Sequence, residues 1–98
     1  MADIQVTRED EGSRGRYVAR VAGREGEAEL TYVVTSPNVV SANHTFAPGS
    51  LRGSGAAQAL VERLVADARA EGRKIIPLCS YVDAQFDRHP EWAGVRAR

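Results

Sequence analysis

"LRGSGAAQALVERLVADARAEGRKIIPLCS", residues 51–80, holds a glycine-rich loop, a helical pattern and an apolar run in succession. Ala57, Leu60, Val61, Leu64, Val65 and Ala68 recur at the i, i+3, i+4 spacing of one apolar helix face. Glu62, Arg63, Asp67 and Arg69 fall on the other side, and Gly72 stands where a C-cap would end the helix. "KIIPLC" then reads as a strand buried on both faces, with Pro77 marking a bulge or an unpaired stretch of edge. Ser80, with Asp83 three residues on, predicts a variant capping box for a last helix. That helix carries Val82 and Phe86 one turn apart and stops near His89-Pro90.

Upstream of residue 51 the period changes from 3.6 to 2. "IQVTRE" alternates Ile4 and Val6 with polar neighbours, a first strand, and "EDEGSRG" suits a turn. "RYVARVAG" is a second strand, joined by the polar "GREGE" to a third in which Ala28, Leu30, Tyr32 and Val34 share a face. "SPN" breaks it, because Pro37 lacks a ladder donor and Asn38 tolerates turn geometry. In the fourth, "VVSANHTF", strict alternation predicts Val40, Ala42, His44 and Phe46 on one side. Four strands with short connections make an antiparallel meander. The prediction is a single α/β (α+β) domain over residues 1–98, with a mostly antiparallel sheet in the order β-β-β-β-α-β-α.

Lys+Arg 13 and Asp+Glu 13 cancel, so bulk charge points to neither nucleic acid nor an anionic membrane as partner. Cys79 is the single cysteine; it has no intrachain partner and fits a reducing compartment. No stretch resembles a signal peptide or a membrane span, so the expected location is the cytoplasm.

The loop carries the chemistry. A helix start presents backbone N–H groups without intrahelical partners and the positive end of the helix dipole. Glycines let a phosphate approach that backbone, and Arg52 adds a fixed cation with several donors. A P-loop needs Gly-Lys-Ser/Thr where this chain has Gly-Ala-Ala. A dinucleotide fingerprint needs a third glycine where Gln58 stands, and an acidic residue where the next strand ends in Cys79. What remains is Arg-x-x-Gly-x-Ala, spanning Arg52, Gly53, Ser54, Gly55, Ala56 and Ala57, between a meander and a long helix. A plain structural turn is the alternative for the loop in isolation.

That pattern resembles the coenzyme A loop of the GNAT acetyltransferase superfamily. "HTFAPGSLRGSGAAQALVERLVADARAEGRKIIPLCSYV" followed by "HPEW" narrows the resemblance to the very small GNAT-like proteins, and it covers residues 44–92. The resemblance implies acetyl-CoA as cofactor. Its pantetheine arm would run along Thr45, Phe46 and Ala47, where the fourth and fifth strands splay, with the pyrophosphate on residues 52–57. It implies a small N-acetyltransferase acting on an unidentified amine, small molecule or protein. Cys79 would lie near the thioester.

Acetyl transfer needs a neutral amine, a polarised carbonyl and a proton for the leaving thiolate. Cys79 admits two roles, a nucleophile that takes the acetyl group or an acid that protonates departing coenzyme A. The helix start beside it favours the thiolate and the apolar "IIPL" disfavours it. A small buried hydrophobe closing a strand is the plain alternative. His44 is the candidate general base, histidine being the side chain suited to proton removal near neutrality, or else a hydrogen-bonded core histidine. Tyr81 is a candidate proton donor or a packing residue. His89 is expected to end the last helix, and two histidines with one cysteine at these separations form no zinc pattern, so no metal is expected.

Full-length superfamily members carry helices between their first strands that help build the acceptor pocket, and "EDEGSRG" leaves no room for them. The acceptor site is therefore expected to be shallow, shared with a second subunit, or suited to a chain end or exposed lysine. A monomer or weak homodimer is expected. The rival from another class is a non-catalytic acyl-CoA-binding or sensing module; a third reading is a protein-interaction domain without nucleotide binding.

Overall fold

Pairing between β1 (Ile4–Glu11) and β2 (Arg14–Val21) continues as far as Glu11 opposite Arg14, so the turn is only Gly12 and Ser13. The computed structural model describes residues 3–97. The seven-residue turn expected from "EDEGSRG" is mostly ladder, because Glu9 and Asp10 have partners across the strands. The Arg16 guanidinium donates to Glu9, and the Tyr32 hydroxyl donates to Asp10.

β3 (Ala28–Ser36) and β4 (Val39–Phe46) extend the meander, and β5 (Lys74–Pro77) completes one sheet in the order β1-β2-β3-β4-β5. The first four strands are antiparallel; β5 joins β4 in parallel. A parallel neighbour requires a crossover, and α1 (Ala56–Glu71) supplies it. A second helix, α2 (Ser80–Arg88), and a 3-10 turn over Pro90–Val95 follow. The predicted fold class and element order hold.

α1 buries Leu60, Val61, Leu64, Val65 and Ala68 against Tyr17, Ala19, Leu30 and Tyr32 of the sheet. Each fully buried Leu or Val contributes about 1.5–3 kcal/mol relative to exposure. Ala56 rather than Ala57 opens that face, since Ala57 is only half-buried. Gly72 ends the helix at φ 68°, its N–H reaching the Ala68 and Arg69 carbonyls, as the glycine position predicted. None of the described helices is long and apolar enough to cross a membrane.

Three further expectations need correction. In β4, Thr31 pairs with His44 and Tyr32 with Ala42, so Asn43 is an inserted bulge residue. Val40 and Ala42 face the core as predicted, but the bulge turns His44 and Phe46 to the opposite face, where both are exposed. Second, "KIIPLC" is not buried on both faces. β5 is an edge strand of four residues in which Ile75 alone is fully buried, and Leu78 beyond it is 66% exposed. The free side of Ile75 is covered by the C-terminal segment, whose Ala97 N–H donates to the Ile75 carbonyl at 2.7 Å. Third, Cys79 rather than Ser80 is the N-cap of α2, and no side chain caps that helix. Asp83, expected to complete a capping box, instead accepts from the Arg96 guanidinium.

Candidate functional site

Pairing between β4 and β5 stops at Ala42 opposite Pro77. Proline has no N–H to continue the ladder, and the Leu78 N–H turns back to the Ile76 carbonyl at 3.0 Å. A last link runs from the Cys79 N–H to the Ala42 carbonyl at 2.9 Å. From Asn43 onward β4 pairs with β3 alone, so its other edge lies open and the two strands splay.

Cys79 sits at the apex of that gap. Its carbonyl accepts the Asp83 N–H at 3.0 Å, opening α2, and its Sγ lies 3.4 Å from the Thr45 hydroxyl oxygen. Burial pushes the thiol pKa up. The Thr45 hydroxyl and the backbone N–H groups of Val82, Tyr81 and Thr45 outweigh it and hold the pKa below the ordinary thiol value. The sulfur thus sits within a ring of donors from both sides of the gap, which act to lower its pKa. The Tyr81 hydroxyl stays protonated, burial being the main cause of its raised pKa. Phe46 and Leu78, next in sequence to Thr45 and Cys79, are the large apolar side chains that remain exposed among the described residues.

β4 leads through Ala47 and Pro48 into a 3-10 turn over Gly49–Leu51, which buried Leu51 anchors to the core. Gly53 and Gly55 then take φ of 76° and 88°, left-handed values that disfavour any side chain. The Ser54 hydroxyl donates to the Leu51 carbonyl at 2.6 Å and accepts the Ala56 N–H at 3.2 Å. The helical ladder begins with the Ala59 N–H on the Gly55 carbonyl at 2.9 Å. Among the described residues, the N–H groups of Gly55, Ala57 and Gln58 have no protein acceptor. Arg52 is exposed beside them, with no described carboxylate within ion-pair distance.

The β2–β3 connection grips this loop from the side. Arg24 Nη1 donates to the Arg52 carbonyl at 3.0 Å and to the Ser50 carbonyl at 3.4 Å, and the Ser50 hydroxyl donates to the Glu25 carbonyl at 2.8 Å. Sequence reasoning passed over Arg24, since nothing in "GREGE" signals a partner more than twenty residues away.

The chain therefore brings Thr45 and Cys79 together and runs from Phe46 and Ala47 straight into the glycine loop. It does not bring His44 to Cys79. His44 lies opposite Thr31 on the other face of β4. That face, opposite α1, holds a hollow of about 690 Å³ lined by Glu9, Glu11, Arg14, Arg16, Thr31 and Asn43, among others. His89 stacks on Trp92 with ring centroids 4.0 Å apart, and Trp92 packs edge-on against Phe86, so "HPEW" closes the core beside α2.

A family model of GCN5-related N-acetyl-transferases matches residues 16–95. No curated protein matches the chain.

Proposed function

The chain belongs to the GCN5-related N-acetyltransferase family, and on that premise we propose that it binds acetyl-CoA in the β4–β5 gap and transfers the acetyl group to an amine. The observation that carries this reading is the end of strand pairing at Ala42 and Pro77, which leaves an extended, unpaired edge directly beside Cys79. The residues present fit the cofactor. An extended arm needs only backbone partners, which the open edge from Asn43 to Ala47 offers. A pyrophosphate needs N–H donors and a cation, and the loop offers Gly55, Ala57, Gln58 and Arg52.

Acetyl-CoA supplies the activated thioester when bound. Thr45, Phe46 and Ala47 orient the pantetheine arm, and residues 52–57 hold the pyrophosphate. Backbone N–H groups on the open edge of β4 polarise the carbonyl that reacts. Cys79 Sγ, whose pKa is held below the ordinary thiol value, is the nucleophile to test first; the alternative role is proton donor to the departing thiolate. His44, on the other face, takes the proton from an amine that approaches from the open side. The hollow on that face, with Glu9, Glu11, Arg14 and Arg16 among its lining residues, suits a chain end, an exposed lysine or a small amine. A monomer or weak homodimer in a reducing compartment such as the cytoplasm is the expected setting, with no nucleic acid or membrane partner.

One observation favours a second reading. His44 and Cys79 lie on opposite faces of β4 without contact, an arrangement that a non-catalytic acyl-CoA-binding module would tolerate.

Calorimetric titration with acetyl-CoA, coenzyme A, ATP and NAD tests the binding, repeated on an Arg52→Ala, Gly55→Asp double variant. Binding of the coenzyme A ligands alone, abolished in the variant, supports the reading; no binding of any ligand ends it. Turnover across an amine panel, with mass spectrometry for acetylated Cys79, then separates enzyme from module.

A further inference from the structure

The β2–β3 connection adds a second cation to the glycine loop. Arg24 reaches across from the turn after β2 and bonds the carbonyls of Ser50 and Arg52 through Nη1 alone. Its Nε and Nη2 donors have no protein acceptor among the described residues. Neither Arg24 nor Arg52 has a described carboxylate within ion-pair distance. By contrast, Arg16 and Arg20 of the neighbouring strand are each paired with glutamates. One loop segment thus carries the backbone contact of one arginine and the side chain of another, both without a described carboxylate partner and both suited to an anion.

The two arginines serve different limbs of the loop. Arg52 leads toward the helix start, where the free N–H groups of Gly55, Ala57 and Gln58 already form an anion site. Arg24 is fixed to the limb that precedes it, at the carbonyls of residues 50 and 52. A ligand that satisfies both carries two separate phosphate groups, a diphosphate for the helix start and a monophosphate a short way off. Resting on the acetyl-CoA reading above, we infer that Arg24 binds the ribose 3′-phosphate of coenzyme A and makes the site selective against dephospho-coenzyme A. The bidentate fork is half used by the loop and half free, so one side chain both shapes the loop and reads the phosphate.

The test compares coenzyme A with dephospho-coenzyme A by calorimetry on the full chain, wild type and Arg24→Gln. Glutamine keeps an amide donor for the Ser50 and Arg52 carbonyls and removes the charge. The wild type is expected to prefer coenzyme A by about tenfold or more, the usual worth of a hydrogen-bonded charge pair. Arg24→Gln should lose most of that preference, its affinity for coenzyme A falling about tenfold more than its affinity for dephospho-coenzyme A. A purely structural Arg24 lowers both affinities by the same factor, and equal wild-type affinities for the two ligands also overturn the inference. Absence of binding by either ligand to the wild type overturns the acetyl-CoA reading itself, and the inference goes with it. Thermal melting of both proteins shows whether the fold is retained; if Arg24→Gln does not fold, the wild-type comparison alone decides, since a preference below twofold overturns the inference.

Discussion

Cys79 Sγ and Thr45 Oγ1 stand 3.4 Å apart across the gap where β4 and β5 part. Thr45 faces this side because the bulge at Asn43 shifts the phase of β4 by one residue, which places Thr45 opposite core-facing Leu30. Without the inserted residue the threonine would face away and the sulfur would lose a donor.

Replacing Thr45 by valine keeps the shape and removes that donor. Burial, which pushes the thiol pKa up, is then opposed only by the backbone N–H groups of Val82, Tyr81 and Thr45. The expected outcome is a higher thiol pKa and alkylation by iodoacetamide several-fold slower at neutral pH, read from the pH dependence of the rate. The sign on stability follows from the same shift. A thiol held below its unfolded pKa stabilises the fold fully above the unfolded value, and that contribution is lost as pH falls through the folded one. Identical alkylation profiles for the two proteins would remove Thr45 from the account.

Gly15 answers a different constraint. A Cβ there would lie 2.5 Å from both the Glu9 carbonyl oxygen and the Tyr32 hydroxyl. The backbone oxygen is held by the β1–β2 ladder, and Tyr32 is buried and bonded to Asp10, so neither gives way cheaply. Gly15→Ala is expected to cost about 1–3 kcal/mol in urea unfolding, the usual penalty of overpacking. Unchanged stability would mean that β2 shifts freely at this point.

Much of this architecture is legible in residue order, because alternation and helical spacing report burial directly. Leu60, Val61, Leu64 and Val65 fall on the buried face that their spacing predicts, and Gly72 caps α1 where expected. His44 was misplaced for a physical reason. A bulge adds one residue to one strand, and "SANHT" carries no glycine or proline to announce it. The edge position of β5 was hidden likewise, since "KIIPLC" has the composition of an interior strand; only the pairing of Ala97 with Ile75 shows what covers it. Arg24 and the Cys79 cap depend on contacts between distant segments, which local pattern does not record.

Asp67 ties α1 to the sheet and makes part of the fold's stability depend on pH. It accepts the Tyr17 hydroxyl at 2.8 Å, Arg8 at 3.1 Å and Arg63 at 3.2 Å. Burial alone would raise its pKa, but the Tyr17 hydroxyl and the Arg63 and Arg8 guanidiniums together hold it below the ordinary carboxylate value. A carboxylate so depressed stabilises the fold above its unfolded pKa and loses that contribution as pH falls through the folded value. Asp67→Asn is expected to cost about 1–3 kcal/mol at neutral pH, the worth of hydrogen bonds to a charged group. The deficit should shrink as both proteins are taken below pH 4, toward the folded pKa of the wild-type residue. A deficit that stays constant from pH 7 to pH 2 would assign the loss to packing instead.

His44 gives the sharpest test of the proposed chemistry because its two possible roles leave different traces. It is exposed on the face opposite α1, so removing it should change stability by less than about 0.5 kcal/mol. If it takes the proton from the acceptor amine, His44→Ala lowers kcat by roughly 10²–10⁴-fold. Affinity for acetyl-CoA, measured by calorimetry, should stay the same, because the open edge of β4 and the 52–57 loop are untouched. A variant that keeps its rate assigns deprotonation to water or to the acceptor itself. His44 would then be a surface residue that the Asn43 bulge turns toward solvent, and the transfer chemistry would rest on Cys79 and the backbone donors around the gap.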